Sequence, residues 1–320
     1  MKAEPAMANW LPKRFLRQND HDLQCEWVYL GDQRFREPFF GETLTRCLSH
    51  PFNSKPYRVV TATDLMAHSA SEIPSIEPSA FIFHTSRCGS TLMTQLLSLF
   101  PQNIVVPEYA ALDQLLRLPL QGFIDQHRQQ KTWVKACIRL LGQIRFPEEE
   151  KLIIKLDCWH FAFFEQIAAW YPHVPKVILY RAPSESIESH LKHAGMQAVP
   201  NLLEPELFGL DRDRVAQMNQ LEYLNHIFEA MYGQIQSIVQ KYPNTLLLDY
   251  ADGVQNMATQ LTHHLQLNPN AATRLQLAER LKYHSKRNSE VFEEHQAPTK
   301  VLVSNSCQDA YAALAKMTIR

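Results

Sequence analysis

From residue 80 onwards the sequence alternates between short apolar runs and segments whose apolar residues recur at helical spacing. "KLIIKLD" (151–157) is followed by the helical segment "WHFAFFEQIAAW" (159–170), and "KVILY" (176–180) is followed by another at 184–194. Parallel strands need a long crossover connection, and a helix usually supplies it. The alternation therefore predicts an α/β domain with a mostly parallel central sheet flanked by helices.

The same pattern extends to both sides of this unit. "AFIF" (80–83) predicts a strand and "TLMTQLLSLF" (91–100) a helix, with Leu92 and Leu96 on one face. Later, residues 211–242 repeat apolar side chains at helical spacing, and "NTLLLDY" after them predicts another strand. Open parallel sheets bind ligands outside the carboxyl ends of their strands. The loops that follow these strands are therefore the expected ligand site.

The first 75 residues are less regular. They contain aromatic clusters but no clear period, and the stretch "AHSASEIPSIEPSA" (67–80) is rich in Ser, Pro and Glu, which is typical of a connector. A chain of 320 residues that is 45% hydrophobic can bury a sizeable core. We expect an N-terminal extension at residues 1–75 and one main domain at 76–320.

Composition excludes several classes of protein. With 32 basic and 33 acidic residues there is no overall field that favours nucleic acid, so an anion must be bound by a local site. The N-terminus lacks the apolar region of a signal peptide, and no uncharged apolar run approaches the roughly 18 residues of a membrane span. Six cysteines without a C-x-x-C pair and 14 histidines without ligand spacing predict no metal site. We expect a cytoplasmic protein without nucleic-acid partners.

The loop in "FHTSRCGSTLM" (83–93), between the predicted strand and helix, is rich in hydrogen-bond donors. A helix N-terminus, hydroxyl groups and a glycine that permits close backbone approach are a typical phosphate site. The candidate phosphate-binding residues are Ser86, Arg87, Cys88, Gly89, Ser90 and Thr91. The first glycine and the lysine of the pattern G-x-x-x-x-G-K-[ST] are missing. An ordinary helix N-cap made of small residues is the alternative, and Cys88 near the helix start is also a conceivable nucleophile.

A second candidate phosphate site follows the strand at 176–180. Arg181 ends this strand, Pro183 turns the chain, and Ser189 stands eight positions after the arginine on the next predicted helix. An arginine and a serine in this arrangement can both reach one phosphate, the arginine through two hydrogen bonds. The alternative is a solvated arginine before an ordinary surface helix.

Together, the loop at 86–91 and the R-x-P-(x)5-S pattern of Arg181, Pro183 and Ser189 resemble the sulfotransferases that use 3′-phosphoadenosine 5′-phosphosulfate (PAPS). The resemblance covers roughly residues 80–300, through "LLLDY" and "HSKRNS", and is closest to the branch that contains protein-tyrosine sulfotransferases. It implies a P-loop-type three-layer fold. It also implies that the loop holds the 5′ phosphosulfate and that Arg181 and Ser189 hold the 3′ phosphate.

The resemblance implies catalytic roles as well. Glu108 in "VVPEYAAL" falls where that branch has its general base, and sulfuryl transfer to a hydroxyl requires such a group. Lys155 matches a lysine suited to stabilising charge on the sulfuryl group or leaving phosphate, and Arg87 matches the loop arginine. "KLDCWH" departs from the family's K-D-P stretch because it lacks the proline and moves the aspartate one place on. An exposed loop carboxylate is the alternative for Glu108.

Three further residues rest on short matches. Ser285 and Lys286 in "YHSKRNS" line up with a late S-K pair that closes over the cofactor, Ser285 being counted among the catalytic residues, and Tyr250 lines up with a tyrosine near the nucleotide. An ordinary exposed basic turn is the alternative. His193 stands where the tyrosine-sulfating branch has another arginine.

The resemblance implies transfer of a sulfuryl group from PAPS to a hydroxyl or amine, with Glu108 as general base and without a metal. The acceptor is expected to be a small molecule, a lipid or a glycan. Two alternatives stay open. A P-loop nucleotide kinase or other phosphotransferase is disfavoured by the missing lysine, and a non-catalytic nucleotide-binding protein with a sulfotransferase-like fold is disfavoured because Glu108 and Lys155 are both present.

Overall fold

A computed structural model of the protein describes residues 6–19, 22–54, 56, 58–123, 127–283 and 301–318. The chain divides into two compact units. One unit consists of Met1–Ala80 and Thr94–Lys155, and the other of Phe81–Met93 and Leu156–Arg320. The predicted boundary between residues 75 and 76 stays a prediction.

Two sheets organise the described residues. The first is antiparallel with the order β1-β2-β3, and the second has the order β5-β6-β4-β7-β8. The strands are β1 (Trp10–Arg17), β2 (Leu23–Tyr29), β3 (Val60–Ala62), β4 (Pro78–His84), β5 (Asn103–Pro107), β6 (Lys151–Lys155), β7 (Lys176–Tyr180) and β8 (Leu246–Asp249). The helices are α1 (Phe40–Cys47), α2 (Thr63–Glu72), α3 (Ser90–Leu97), α4 (Ala110–Arg117), α5 (His127–Leu141), α6 (Phe164–Trp170), α7 (Pro183–Lys192), α8 (Arg212–Ala216), α9 (Gln220–Lys241), α10 (Val254–His264), α11 (Ala271–Arg280) and α12 (Asn305–Thr318).

The five-stranded sheet is parallel, and helices flank it. β4 pairs with β7, β7 with β8, and β5 with β6, each in parallel register. Every residue of β5 and β7 is buried, because a parallel sheet covered on both faces exposes neither side of its strands. The predicted α/β fold with a parallel central sheet is confirmed.

The N-terminal sheet explains why the first 75 residues show no clear period. The register of β1 against β2 shifts between Pro12 and Arg14, which is a bulge. Pro12 pairs with Trp27 and Phe15 with Cys25, so these two buried residues lie on the same face although three positions separate them. Leu11, next to Pro12, is buried as well. An alternating pattern that is interrupted in this way cannot be recognised from eight residues.

Residues 211–242 form two helices rather than one. α9 begins after Asn219, whose side-chain oxygen accepts hydrogen bonds from the backbone N–H groups of Leu221 and Glu222 at 3.0 Å. The Glu222 carboxylate in turn accepts from the N–H of Asn219 at 2.9 Å. This capping box starts a new helix inside a stretch whose apolar spacing is nearly continuous. None of the helices in the described parts of the chain has the length and apolar composition that a membrane crossing requires.

Candidate active site

The loop between β4 and α3 has an unusual backbone. Arg87 and Gly89 both have left-handed conformations, with φ of 63° and 80°. The N–H of Thr85 donates to Leu179 O at 2.9 Å, which fixes the start of the loop to β7, and the N–H of Met93 donates to Gly89 O at 3.1 Å as α3 begins. The first turn of a helix presents N–H groups that lack partners within the helix, so this loop can receive an anion.

Position 89 favours glycine for two reasons, its left-handed φ and the close approach of the Tyr250 ring. A Cβ atom built at position 89 would lie 3.1 Å from both Cδ2 and Cε2 of Tyr250. Tyr250 is buried at the end of β8, so its ring has little freedom to move aside. The structure therefore places Tyr250 against the predicted phosphate loop.

Arg181 joins the same cluster. Its Cζ lies 4.0 Å from the centroid of the Tyr250 ring, and its Nη1 donates a long hydrogen bond of 3.4 Å to Arg87 O. Its Nε pairs with the carboxylate of Glu185, one helical turn later on α7. Its carbonyl accepts a hydrogen bond of 2.6 Å from the hydroxyl of Tyr232. Arg181 is thus held at its backbone, at Nε and on the face of its guanidinium.

Ser189 lies on α7, four residues after Glu185 and therefore on the same side of the helix. At the end of α7, the N–H of His193 donates to Ser189 O at 3.0 Å. The carbonyl of His193 in turn accepts from Nη2 of Arg87 at 2.6 Å. His193 thus contacts the loop arginine, Arg87, through its main chain.

Glu108 and Lys155 contact each other. Glu108 follows the last residue of β5, Pro107, which is paired with Lys155, the last residue of β6. The N–H of Glu108 donates to Lys155 O at 2.8 Å. Nζ of Lys155 forms an ion pair with Oε1 of Glu108. The lysine side chain is fully buried, whereas the glutamate side chain is 21% exposed.

This pair has a definite electrostatic character. A buried ammonium group is costly unless an opposite charge accompanies it, and the Glu108 carboxylate supplies that charge. The ion pair therefore lets the ammonium group stay buried beside a carboxylate that is partly exposed. Because Glu108 is partly exposed, its carboxylate can meet a second molecule while Lys155 stays covered.

Comparison with known proteins gives matches among solved structures only. No family model matches the chain, and no curated protein does. Sulfotransferase STF9 from Mycobacterium avium is 11% identical, with 79% of this chain and 81% of that chain covered and a TM-score of 0.49. A sulfotransferase from Alicyclobacillus acidocaldarius is 14% identical, with 75% and 92% covered and a TM-score of 0.42. Mouse sulfotransferase SULT7A1, complexed with PAP, is 11% identical, with 82% and 92% covered and a TM-score of 0.41.

The chain is similar to sulfotransferases. This is the family that the sequence motifs at 86–91 and 181–189 resemble. At identities of 11–14% and TM-scores below 0.5, the activity has to be argued from the residues of this sulfotransferase-like chain itself.

Two of the expected site residues, Ser285 and Lys286, lie outside the described residues. Two residues of the candidate site were not predicted. Glu185 could have been found from its spacing, because an acidic residue four positions after an arginine at the start of a helix is placed to pair with it. Tyr232 carried no such signal, since its hydroxyl reaches Arg181 O across 51 positions of the chain.

Proposed function

We propose that this protein transfers a sulfuryl group from PAPS to a hydroxyl or amine of an acceptor. The observation that carries the proposal is the arrangement of Arg181, which is held over Tyr250 and hydrogen-bonded to the loop at 86–91. Two candidate anion sites that are separated by about 90 positions in the sequence thus contact each other. A nucleotide with phosphates at both its 3′ and 5′ positions is the kind of ligand that needs two such sites.

The residues fit that donor. The left-handed backbone of Arg87 and Gly89 and the start of α3 would receive the 5′ phosphosulfate, together with the side chains of Ser90 and Thr91. Arg181 would bind the 3′ phosphate together with Ser189. Tyr250 would keep the guanidinium in place, and Lys286 stays predicted to close over the nucleotide.

The transfer itself is a direct displacement at sulfur. The acceptor oxygen or nitrogen forms a bond to sulfur while the bond from sulfur to the bridging oxygen of PAPS breaks. Glu108 takes the acceptor's proton, and 3′-phosphoadenosine 5′-phosphate (PAP) leaves with the bonding electrons. Arg87 offsets the charge that moves onto the bridging oxygen, and Lys155, whose side chain is buried against Glu108, stays a predicted contributor to that role. The scheme requires no metal ion. Ser285 stays a predicted contributor, and the acceptor is a small molecule, a lipid or a glycan.

Calorimetric titration tests the donor site. We expect wild-type protein to bind PAP and to prefer it to ATP with Mg²⁺. Arg181→Ala should weaken PAP binding by about 10- to 150-fold, because hydrogen bonds to charged groups contribute about 1.5–3 kcal/mol each. Arg212→Ala is the matched control, since it removes the same charge from an exposed position on α8 and should bind PAP normally.

Either of two results would contradict the proposal. Wild-type protein that binds no PAP would exclude the donor site. A preference for ATP with Mg²⁺, accompanied by ATP turnover, would indicate that the loop at 86–91 is that of a phosphotransferase. If PAP binds as expected, conversion of PAPS to PAP in the presence of a panel of hydroxyl and amine acceptors then identifies the acceptor class.

A further inference from the structure

We propose that the N-terminal segment, through contacts to Tyr109 and Lys155, positions the general base Glu108. This inference rests on the proposed function and gives a role to Pro12 and to the dipeptide Phe39-Phe40, which the sequence leaves without one. Tyr109 and Phe39 are positioning residues in this proposal. Neither residue is proposed to contact the substrate or the donor.

The backbone of Glu108 needs such support. Its φ is 53°, a left-handed conformation that is uncommon for a residue with a side chain. A strained backbone of this kind persists only where the surrounding structure holds it, and it is enriched at functional sites. On one side the hydrogen bond from its N–H to Lys155 O provides the hold. Tyr109, the next residue in the chain, holds the backbone of Glu108 from its C-terminal side.

Tyr109 connects Glu108 to the N-terminal sheet. Its side chain is buried, and its hydroxyl donates a hydrogen bond to the carbonyl of Pro12 in β1. Burial raises the pKa of Tyr109 well above its usual value, so the phenol stays protonated and remains a donor over the physiological pH range. The ring packs edge-on against Phe40, with centroids 4.9 Å apart.

β1 is an edge strand of its sheet, which leaves the Pro12 carbonyl available for this bond. Pro12 is paired with Trp27 just before the register shifts. The N–H of Trp27 donates to Val59 O at 3.0 Å instead of to Pro12. The bulge that hides the strand in the sequence therefore lies at the residue whose carbonyl accepts from Tyr109.

A second contact involves Lys155, the ion-pair partner of Glu108. The ring centroid of Phe39 lies 5.8 Å from Nζ of Lys155, within the range of a cation–π interaction. Phe39 and Phe40 are adjacent, so one dipeptide contacts both the lysine that pairs with Glu108 and the tyrosine that follows it. α4, which begins just after Tyr109, is also attached to β1. Oε1 of its residue Gln114 accepts from the N–H of Phe15, and Nε2 donates to Phe15 O.

Tyr109→Phe is the sharpest test, because it removes only the hydroxyl and keeps the ring packing. We expect amide hydrogen exchange to become several-fold faster in peptides that cover residues 104–112, and to be unchanged in those that cover 86–93. Turnover of PAPS with the fastest acceptor of the panel should fall by about 10- to 100-fold in kcat, because small misplacements of a catalytic group cost this much. KM for PAPS and the affinity for PAP should stay at wild-type values.

Two further variants separate positioning from a general loss of stability. Tyr223→Phe removes a buried hydroxyl that has no hydrogen-bond partner among the described residues, and it should leave both exchange and turnover unchanged. Phe39→Leu keeps apolar bulk beside Lys155 but removes the ring, and it should lower kcat in the same way as Tyr109→Phe. If kcat and KM instead change together with the free energy of unfolding, Tyr109 is merely structural and the proposal is overturned.

Failure of the proposed function shows itself separately, as wild-type protein that does not bind PAP. The positioning role is overturned by unchanged exchange at residues 104–112 in Tyr109→Phe, whatever the wild-type protein binds.

Discussion

The guanidinium of Arg181 lies over the ring of Tyr250, with Cζ 4.0 Å from the ring centroid. The same ring also packs against Gly89, whose absent Cβ leaves room for it. Tyr250 therefore contacts both candidate anion sites of its unit, although a tyrosine is neither positively charged nor rich in donors. Its contribution is to fix the position of the Arg181 guanidinium and of the loop at 86–91, which supply the charge and the donors.

Replacing Tyr250 by leucine should weaken PAP binding by about 5- to 30-fold, because a partly desolvated cation–π contact contributes about 1–2 kcal/mol. Tyr250→Phe keeps the ring and should retain most of the affinity. Calorimetry with PAP measures both. Equal affinities for the leucine and phenylalanine variants would show that the ring does not hold Arg181 in the bound state.

Gly89→Ala should abolish measurable PAP binding and lower the free energy of unfolding. The new Cβ would lie 3.1 Å from two ring atoms of Tyr250, and the left-handed backbone adds about 1–2 kcal/mol for a residue with a side chain. Gly233→Ala is the control, because nothing lies within 4 Å of a Cβ at that position of α9. It should raise the free energy of unfolding by about 0.5–1 kcal/mol and leave binding intact. Normal PAP binding by Gly89→Ala would contradict the loop's role.

Glu108→Ala should lower the free energy of unfolding by about 3–5 kcal/mol, because it leaves the buried ammonium of Lys155 without its carboxylate. Lys155→Met removes the other charge alone, and the double variant Glu108→Ala/Lys155→Met should recover most of the loss, since neither charge then remains. Urea denaturation of the single and double variants measures the coupling. Additive losses would mean that the two side chains do not stabilise each other.

Glu26 should make stability depend on acid pH. Burial raises the pKa of this carboxyl, but hydrogen bonds and charges from Arg14 and Lys13 outweigh that effect and lower it below its usual value. A carboxyl with a lowered pKa in the folded state contributes stability above its unfolded pKa and loses it as the pH falls through the folded one. The free energy of unfolding should therefore decline below about pH 4.5. Glu26→Gln should flatten this decline in urea titrations at several pH values, and an unchanged slope would contradict the assignment.

Strands that are buried on both faces could be predicted from the sequence. "AFIF", "KLIIK" and "KVILY" each form a strand of the parallel sheet, because a continuous short apolar run next to a helical segment has few other uses. β5 was missed, since its apolar part is only "IVVP" and its identity as a strand depends on pairing with β6. The N-terminal sheet was missed because the bulge at Pro12 interrupts the alternation.

The candidate site divides along the same line. The loop at 86–91 and the pattern from Arg181 to Ser189 are local in sequence, so their residue types and spacing could be interpreted directly. The ion pair between Glu108 and Lys155 could not, because it depends on the register between β5 and β6. A resemblance can align residues to roles, but it does not show which of their side chains contact each other.

The packing of Tyr250 on Gly89 has a consequence for synthesis of the chain. About 160 residues separate the two positions, so the loop leaves the ribosome long before the ring that packs on it. At about 5–20 residues per second, the delay is roughly 10 to 30 seconds. During that interval the nascent chain carries Gly89, and over roughly its last 70 residues also Arg181, without the aromatic ring that packs on them. Donor nucleotide could therefore stabilise the protein only after β8 has joined the sheet, and not while earlier segments are being made.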